Sequence, residues 1–130
     1  MYIDSSVETP AVSHFDMDEL PFDLRMIDRL EELLKRYYKT QKRLGFYSET
    51  LGVSLRRLNA ICLHHFYKTL FELIQERRFN ESLKLLKDTT LSVKEISYYL
   101  GFSDPPYFVR YFKKQTGRTP RRFRYLVGSR

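Results

Sequence analysis

The chain has 130 residues, a formal net charge of +7 and 15% aromatic residues, so it accommodates one domain or two very small ones and is too short for most cofactor-binding α/β enzymes. Its single cysteine excludes an internal disulfide framework and fits a reducing compartment. No apolar run approaches the ~18 residues of a membrane span, and the N-terminus lacks the basic-then-apolar pattern of a secretory signal.

Residues 1–21 are predicted to form a flexible acidic tail, a linker or an arm. The segment is polar, contains Pro10 and Pro21, and shows no sustained helical period, so we assign it no regular structure.

Seven helices are predicted from residue 22 onward, because apolar residues recur there at helical spacing and no strand-like alternation is sustained. Ser54, Ser92 and Thr119 are predicted N-caps, with Pro120 at the first position of the last helix. The chain is therefore predicted to be all-α. The predicted helices cover residues 23–38, 44–51, 55–67, 70–87, 93–100, from Ser103 or Asp104 to 116, and 120–127.

Charge is distributed unevenly along these elements. Residues 1–24 contain six acids and no Lys or Arg, whereas the chain from Arg25 onward contains all 23 bases and ten acids. Eight of the bases follow Asp104, the last acid. This concentration indicates a polyanionic partner such as nucleic acid. A solvated cationic surface is the alternative explanation.

An internal repeat organises the helical region. Residues 46–62 and 95–112 each contain a short helix, then Leu-Gly-apolar-Ser, then a longer helix. Gly52 and Gly101 permit the positive φ of a sharp helix–helix turn. The pattern predicts two helix-turn-helix units, residues 44–67 and 93–116, joined by a long linker helix at residues 70–87.

The helical region, and its second unit most clearly, resembles the AraC/XylS (arabinose-regulator) family of bacterial transcription factors. The resemblance rests on LLKDTTLSVKEISYYLGFSDPPYFVRYFKKQTGRTPRRFR at 85–124, on LGVS at 51–54 and on LIQERR at 73–78, and it covers residues 44–124. It implies that residues 22–130 form a seven-helix, homeodomain-like DNA-binding domain without catalysis or cofactor. The linker helix would hold two reading helices about 34 Å apart, one turn of duplex. Relatives usually carry a separate effector-sensing domain.

The resemblance implies a set of base-reading residues. It places base contacts of the first unit at Arg56, Asn59 and Ala60, and those of the second at Pro105, Pro106 and Arg110. Arg bonds guanine, Asn bonds adenine, and Ala offers only a methyl contact. Arg57 shares the solvent side with Arg56, and phosphate contact or plain solvation is the alternative for both. The two prolines have a structural alternative, since proline is tolerated in the first helical turn.

Phosphate contacts are predicted for a second set of side chains, which position the protein on DNA without specifying sequence. Asp104 is interpreted as an N-cap, and Arg124 as a buried, paired side chain. The predicted phosphate contacts are Lys113, Lys114, Arg118, Arg121 and Arg122.

One part of the chain departs from the family pattern. Tyr67 stands where relatives usually have glycine, and Leu70 stands where they usually have proline. The third helix is therefore expected to run on further or to turn differently.

A metal site is the other chemistry that the sequence suggests, and we do not expect one. Cys62, His64 and His65 lie close in sequence, but a closed zinc site needs four ligands and only His14 remains. We interpret Cys62 as an inert core thiol and expect no metal site. The expected partner is double-stranded promoter DNA, bound by a monomeric domain in the cytoplasm. The alternative function is a protein-interaction module that contacts RNA polymerase or another regulator.

Overall fold

The computed structural model describes residues 20–128, and within that range the chain forms seven helices and no strand. None of these helices is both long and apolar enough to cross a bilayer. The predicted all-α class and the seven helices are confirmed. The helices are α1 (Phe22–Tyr37), α2 (Leu44–Leu51), α3 (Leu55–Phe66), α4 (Leu70–Asp88), α5 (Val93–Leu100), α6 (Pro105–Thr116) and α7 (Pro120–Gly128).

Polar side chains cap the helices where the sequence places them. Ser54 Oγ accepts a hydrogen bond from the Arg57 N–H at 3.0 Å, which satisfies one of the unpaired donors at the start of α3. Ser92 with Glu95, and Thr69 with Glu72, form reciprocal capping boxes on α5 and α4. These caps fix the starting residues of α3, α4 and α5 and hence the register of their faces.

Two hydrophobic cores lie side by side and share one helix. The first core gathers buried residues of α1, α2 and α3, such as Leu30 and Leu58, against Leu70 and Ile74 of α4. The second core packs α5 and α6 against Leu86, near the other end of α4. Its buried members are Leu86, Ile96, Leu100, Phe102, Phe108 and Phe112.

A buried polar bridge joins the two cores at the middle of α4. Arg78 is buried and donates from Nη1 to Gln75 Oε1 at 2.7 Å and from Nε to the Tyr38 carbonyl at 3.2 Å. Gln75 in turn donates from Nε2 to Tyr107 Oη of α6 at 2.8 Å. The bridge therefore connects the end of α1, the linker helix and the second unit through directional contacts.

The turn between α5 and α6 lies against the segment that follows α1. Lys42 Nζ donates to the Gly101 carbonyl at 3.3 Å, and Lys39 Nζ lies 4.4 Å from the ring centroid of Tyr99. Gly101 has φ +90°, and a Cβ there would overlap the backbone carbonyl oxygen of Lys39. Glycine is thus required both by the turn and by the close approach of the segment that follows α1.

Substitution of the two turn glycines separates these two requirements. Gly52 also has a positive φ, +74°, but a Cβ there meets no atom within 4 Å. We expect Gly52→Ala to lower the free energy of unfolding by about 1–2 kcal/mol through backbone strain alone. Gly101→Ala adds the overlap with Lys39, so we expect about 2–5 kcal/mol. Urea unfolding of both variants checks this, and equal losses would contradict the close contact.

Candidate nucleic-acid interface

The outward face of α3 is a stripe of exposed side chains opposite the core. Leu58, Ile61 and Cys62 are buried, whereas Arg56, Ala60 and Leu63 are exposed. The spacing i, i+4, i+7 places the exposed three on one side of the helix. Tyr67, the residue after α3, follows Leu63 by four positions and is 87% exposed. We call Arg56, Ala60, Leu63 and Tyr67 the α3 stripe.

Arg57 lies beside this stripe, next to α1. Its guanidinium carbon is 4.4 Å from the ring centroid of Phe22, a cation–π contact between α3 and α1. His65 lies toward the same helix, with Nε2 3.8 Å from Asp23 Oδ2. Arg57 therefore has a structural contact that the sequence did not indicate, and Arg56 is the arginine on the outward face.

Asn59 has a structural role that the sequence analysis missed. It is half-buried, and its Oδ1 accepts a hydrogen bond from the Leu70 N–H at 2.9 Å. That N–H belongs to the first residue of α4 and has no partner within its own helix. The amide is thus directed toward α4, and its carbonyl oxygen, which an adenine contact would use as acceptor, is already occupied. Base reading by Asn59 stays a prediction, which would use the amide NH2 and the second lone pair of the oxygen.

The turn between α3 and α4 corrects the expected end of the third helix. The helix ends at Phe66, because Tyr67 adopts the left-handed conformation with φ 60° and ψ 26°. Gly117 occupies the same place in the second unit, with φ 81°. The tight turn is therefore kept, at a cost of about 1–2 kcal/mol for a residue that carries a Cβ. Leu70, unlike proline, has an N–H, and Asn59 supplies its acceptor.

The outward face of α6 carries Pro106, Arg110 and Lys113, which are exposed, while Phe108 and Phe112 are buried. Pro105 and Pro106 are the first two residues of the helix, where a missing N–H is tolerated. Asp104 Oδ1 accepts from the Tyr107 N–H at 2.8 Å, so the predicted N-cap is present. We call Pro106, Arg110 and Lys113 the α6 stripe.

Further cations surround the end of α6 and the start of α7. All are exposed, and Arg122 lies over the ring of Tyr125, with its guanidinium carbon 5.3 Å from the centroid. Thr119 Oγ1 accepts from the Arg122 N–H at 3.1 Å and so caps α7. The four cations are Lys114, Arg118, Arg121 and Arg122. Because they are exposed, they can contact the phosphates of a nucleic-acid backbone.

Arg124 differs from these cations because it is half-buried and satisfies the C-terminus of α4. Its Nε donates to the Leu86 carbonyl at 2.9 Å, and Nη2 donates to the Thr89 carbonyl at 3.2 Å. A cation at this end of a helix also meets the negative end of the helix dipole. The predicted pairing is present, with backbone carbonyls as the partners.

The candidate metal ligands do not converge. Cys62 is buried, and burial raises the pKa of its thiol to about 11, so the thiol is protonated at neutral pH. The rings of His64 and His65 lie 4.7 Å apart, with His64 exposed and His65 directed toward Asp23 of α1. Between residues 20 and 128 no three metal-ligating side chains cluster. His14 falls outside the described residues.

Two helix-turn-helix units on one shared helix define a class of DNA-binding domains. A family model described as "Helix-turn-helix domain" matches residues 47–125. The chain belongs to this family of helix-turn-helix domains, and specifically to its AraC-type members.

Individual relatives agree with this family. The chain is 35% identical over 88 residues, 59% of its length, to the "Bifunctional transcriptional activator/DNA repair enzyme AdaA" of Bacillus subtilis, and the match covers 42% of that protein. It is 35% identical over 78 residues to "HTH-type transcriptional regulator GlxA" of Rhizobium meliloti, of which the match covers 24%. The chain thus spans less than half the length of these two relatives.

Solved structures share the fold. The C-terminal domain of the two-component response regulator yesN from Fusobacterium nucleatum superposes with a TM-score of 0.70 at 28% identity, covering 75% of this chain and 95% of that one. The DNA-binding domain of AdpA, solved "in complex with a target DNA", superposes with a TM-score of 0.70 at 18% identity, covering 78% of this chain and 90% of that one. The second likeness shows the fold alone.

The Asn59–Leu70 hydrogen bond can be tested by a double-mutant cycle. Asn59→Ala leaves the Leu70 N–H without an acceptor, so we expect a loss of about 1–3 kcal/mol in the free energy of unfolding. In a Leu70→Pro background that N–H is absent, and the same substitution should cost about 1 kcal/mol less. Asn80→Ala, at an exposed asparagine of α4, is the matched control with little effect. Equal costs in both backgrounds would show that the hydrogen bond contributes nothing.

Proposed function

We propose that the chain binds duplex DNA sequence-specifically as part of a bacterial transcription regulator, with α3 and α6 in successive segments of the major groove. The observation that carries the proposal is the repeated arrangement itself. Each unit presents an exposed stripe on its second helix, and both units are anchored on α4. The second helix of a helix-turn-helix is the one that enters the major groove.

Within this proposal the cations divide into two roles. Arg110 lies in the middle of the α6 stripe and Arg56 at the start of the α3 stripe, and both are exposed. A bidentate contact from Arg to guanine O6 and N7 discriminates between bases by about 1–3 kcal/mol. Lys113, at the end of the α6 stripe, and the four cations from Lys114 to Arg122 would neutralise phosphates and release counterions, which gives affinity without sequence preference.

The buried bridge supports a fixed spacing between the two half-sites. Arg78 and Gln75 tie α4 to α6 and to the end of α1 by directional hydrogen bonds. Two reading helices held in this way would require two half-sites on the same side of the duplex.

The proposal has wider consequences for the cell. A DNA partner in a bacterium implies the cytoplasm, and the described domain would act as a monomer that carries out no reaction itself. RNA polymerase would be a second partner. Sedimentation of the domain alone and with an oligonucleotide tests the monomeric state.

Selection from a random oligonucleotide pool tests the function directly. We expect the chain to enrich a bipartite motif and its affinity to fall steeply with salt, because each neutralised phosphate contributes a slope of about −0.9 in log K against log salt. A pool with no enriched motif would refute sequence-specific binding and favour a protein-interaction module.

Arg110 and Lys114 should behave differently on substitution. Arg110→Ala should relax base preference at one position of the motif, at a cost of about 1–3 kcal/mol for the preferred base. Lys114→Ala should weaken all sequences alike and reduce the salt slope by about 1. Lys84→Ala removes an exposed cation on the side of α4 that borders α1 and should change neither. An unchanged motif for Arg110→Ala would exclude Arg110 as a base reader.

Half-site phasing provides a further test of the rigid bridge. Insertion of about 5 base pairs between the half-sites turns them to opposite sides of the duplex, so affinity should fall to the non-specific level. Insertion of about 10 base pairs returns the half-sites to the same side of the duplex but moves them one turn further apart. Specific binding should therefore also be lost. Full binding to either sequence would contradict a fixed spacing.

A further inference from the structure

We propose, on the basis of the function above, that α3 reads its half-site through an apolar face. Ala60 and Leu63 would contact thymine methyl groups, and the ring of Tyr67 would lie against deoxyribose of the flanking backbone. The first half-site would then consist of A·T pairs next to the base pair that Arg56 meets. The second half-site would instead be read by the cationic α6 stripe.

A comparison of the two units supports this difference. Their second helices match residue by residue at an offset of 50, which pairs Ala60 with Arg110 and Leu63 with Lys113. The same two places on the outward face are therefore apolar in α3 and cationic in α6. Leu63 is 47% exposed, so the apolar surface of α3 is available to a partner. The thymine methyl is the one base-edge group in the major groove that an apolar side chain recognises.

Tyr67 provides an independent observation. It is the one non-glycine residue with positive φ between residues 20 and 128, at a turn where the second unit has Gly117. With 87% of its surface exposed, the ring gains little from packing in the folded chain. Strained residues of this kind concentrate at functional sites. Tyr67 follows α3 directly and lines a groove that reaches α6, so we place its ring at the edge of the face that would meet DNA.

The surface next to Tyr67 favours sugar over phosphate. A groove of about 610 Å³ runs from Tyr67 and Phe71 to Lys114 of α6, and Glu72 and Glu76 lie along it. Glu76 Oε2 lies 3.7 Å from Lys68 Nζ, so the lysine that follows Tyr67 in the chain is already paired with an acid. At the Tyr67 end of the groove the deoxyribose ring would meet the aromatic surfaces, whereas a phosphate of the same strand would be directed toward Lys114 at the α6 end.

The first experiment uses Tyr67→Gly, which should separate folding from binding. Glycine relieves the backbone strain, so the melting temperature should stay the same or rise. Affinity for the selected site should fall about three- to tenfold, because the apolar contact of the ring with deoxyribose is lost. Tyr98→Ala, at a tyrosine of α5 that is 57% exposed, is the matched control and should leave affinity unchanged. Unchanged DNA affinity in Tyr67→Gly would overturn the assignment and indicate that a protein covers this surface.

The second experiment uses Leu63→Lys, which copies Lys113 into the first unit. If position 63 faces DNA, affinity at low salt should rise, the salt slope should steepen by about 0.9, and the thymine preference at the contacted pair should weaken. Since the added group is a cation on an exposed position, the fold should be unaffected. An unchanged salt slope would show that position 63 does not meet DNA and would overturn the proposal.

The selected motif itself distinguishes this inference from the proposed function. We expect one half to contain guanine that is lost in Arg110→Ala, and the other half to contain A·T pairs that change in Leu63→Lys. A bipartite motif with guanine contacts spread across both halves would overturn the apolar reading but leave sequence-specific binding intact. No motif at all would refute the proposed function and, with it, this inference.

Discussion

The shared linker helix is the constraint on which the rest of the structure depends. Helix α4 supplies Leu70 and Ile74 to one core and Leu86 to the other, so neither unit has a complete core without it. Arg78 at its centre is buried, and burial lowers the pKa of its guanidinium, yet its donors are matched to Gln75 and the Tyr38 carbonyl. A buried cation whose hydrogen bonds are directional tolerates few arrangements of its neighbours. Rotation of one unit against the other would break those bonds inside the protein.

Local sequence patterns were sufficient to predict the helices, whereas the partners of polar side chains depended on the fold. Ser54, Ser92 and Asp104 cap their helices through neighbours three residues away, and contacts of that range are encoded locally. The acceptor for the Leu70 N–H lies 11 residues back, in another helix. The sequence analysis therefore assigned Asn59 to DNA alone and missed its contact with α4. The one available signal was the absence of proline at position 70, which leaves an N–H that needs an acceptor.

The two units show which features of the repeat the fold requires. Both keep a glycine between their helices, a capped second helix and a left-handed residue after it. Where the first unit departs at Tyr67 and Leu70, the structure accommodates each change locally, by backbone strain in one case and by the Asn59 hydrogen bond in the other. The outward stripes carry no such requirement, because their side chains are exposed. Their chemistry could therefore diverge between the units without loss of the fold.

That divergence gives the two units different dependence on conditions. Under the proposed function, DNA contacts from Arg110, Lys113 and the cations after them would weaken as salt rises, because counterion release drives such contacts. The proposed apolar contacts from Ala60 and Leu63 would be insensitive to screening and limited instead by the small area that they bury. At low salt the second unit would dominate association and hold the protein on DNA of any sequence. As salt rises, the apolar contacts of the first unit would contribute a growing share of the remaining affinity, so the bound site would be chosen increasingly by shape and methyl pattern.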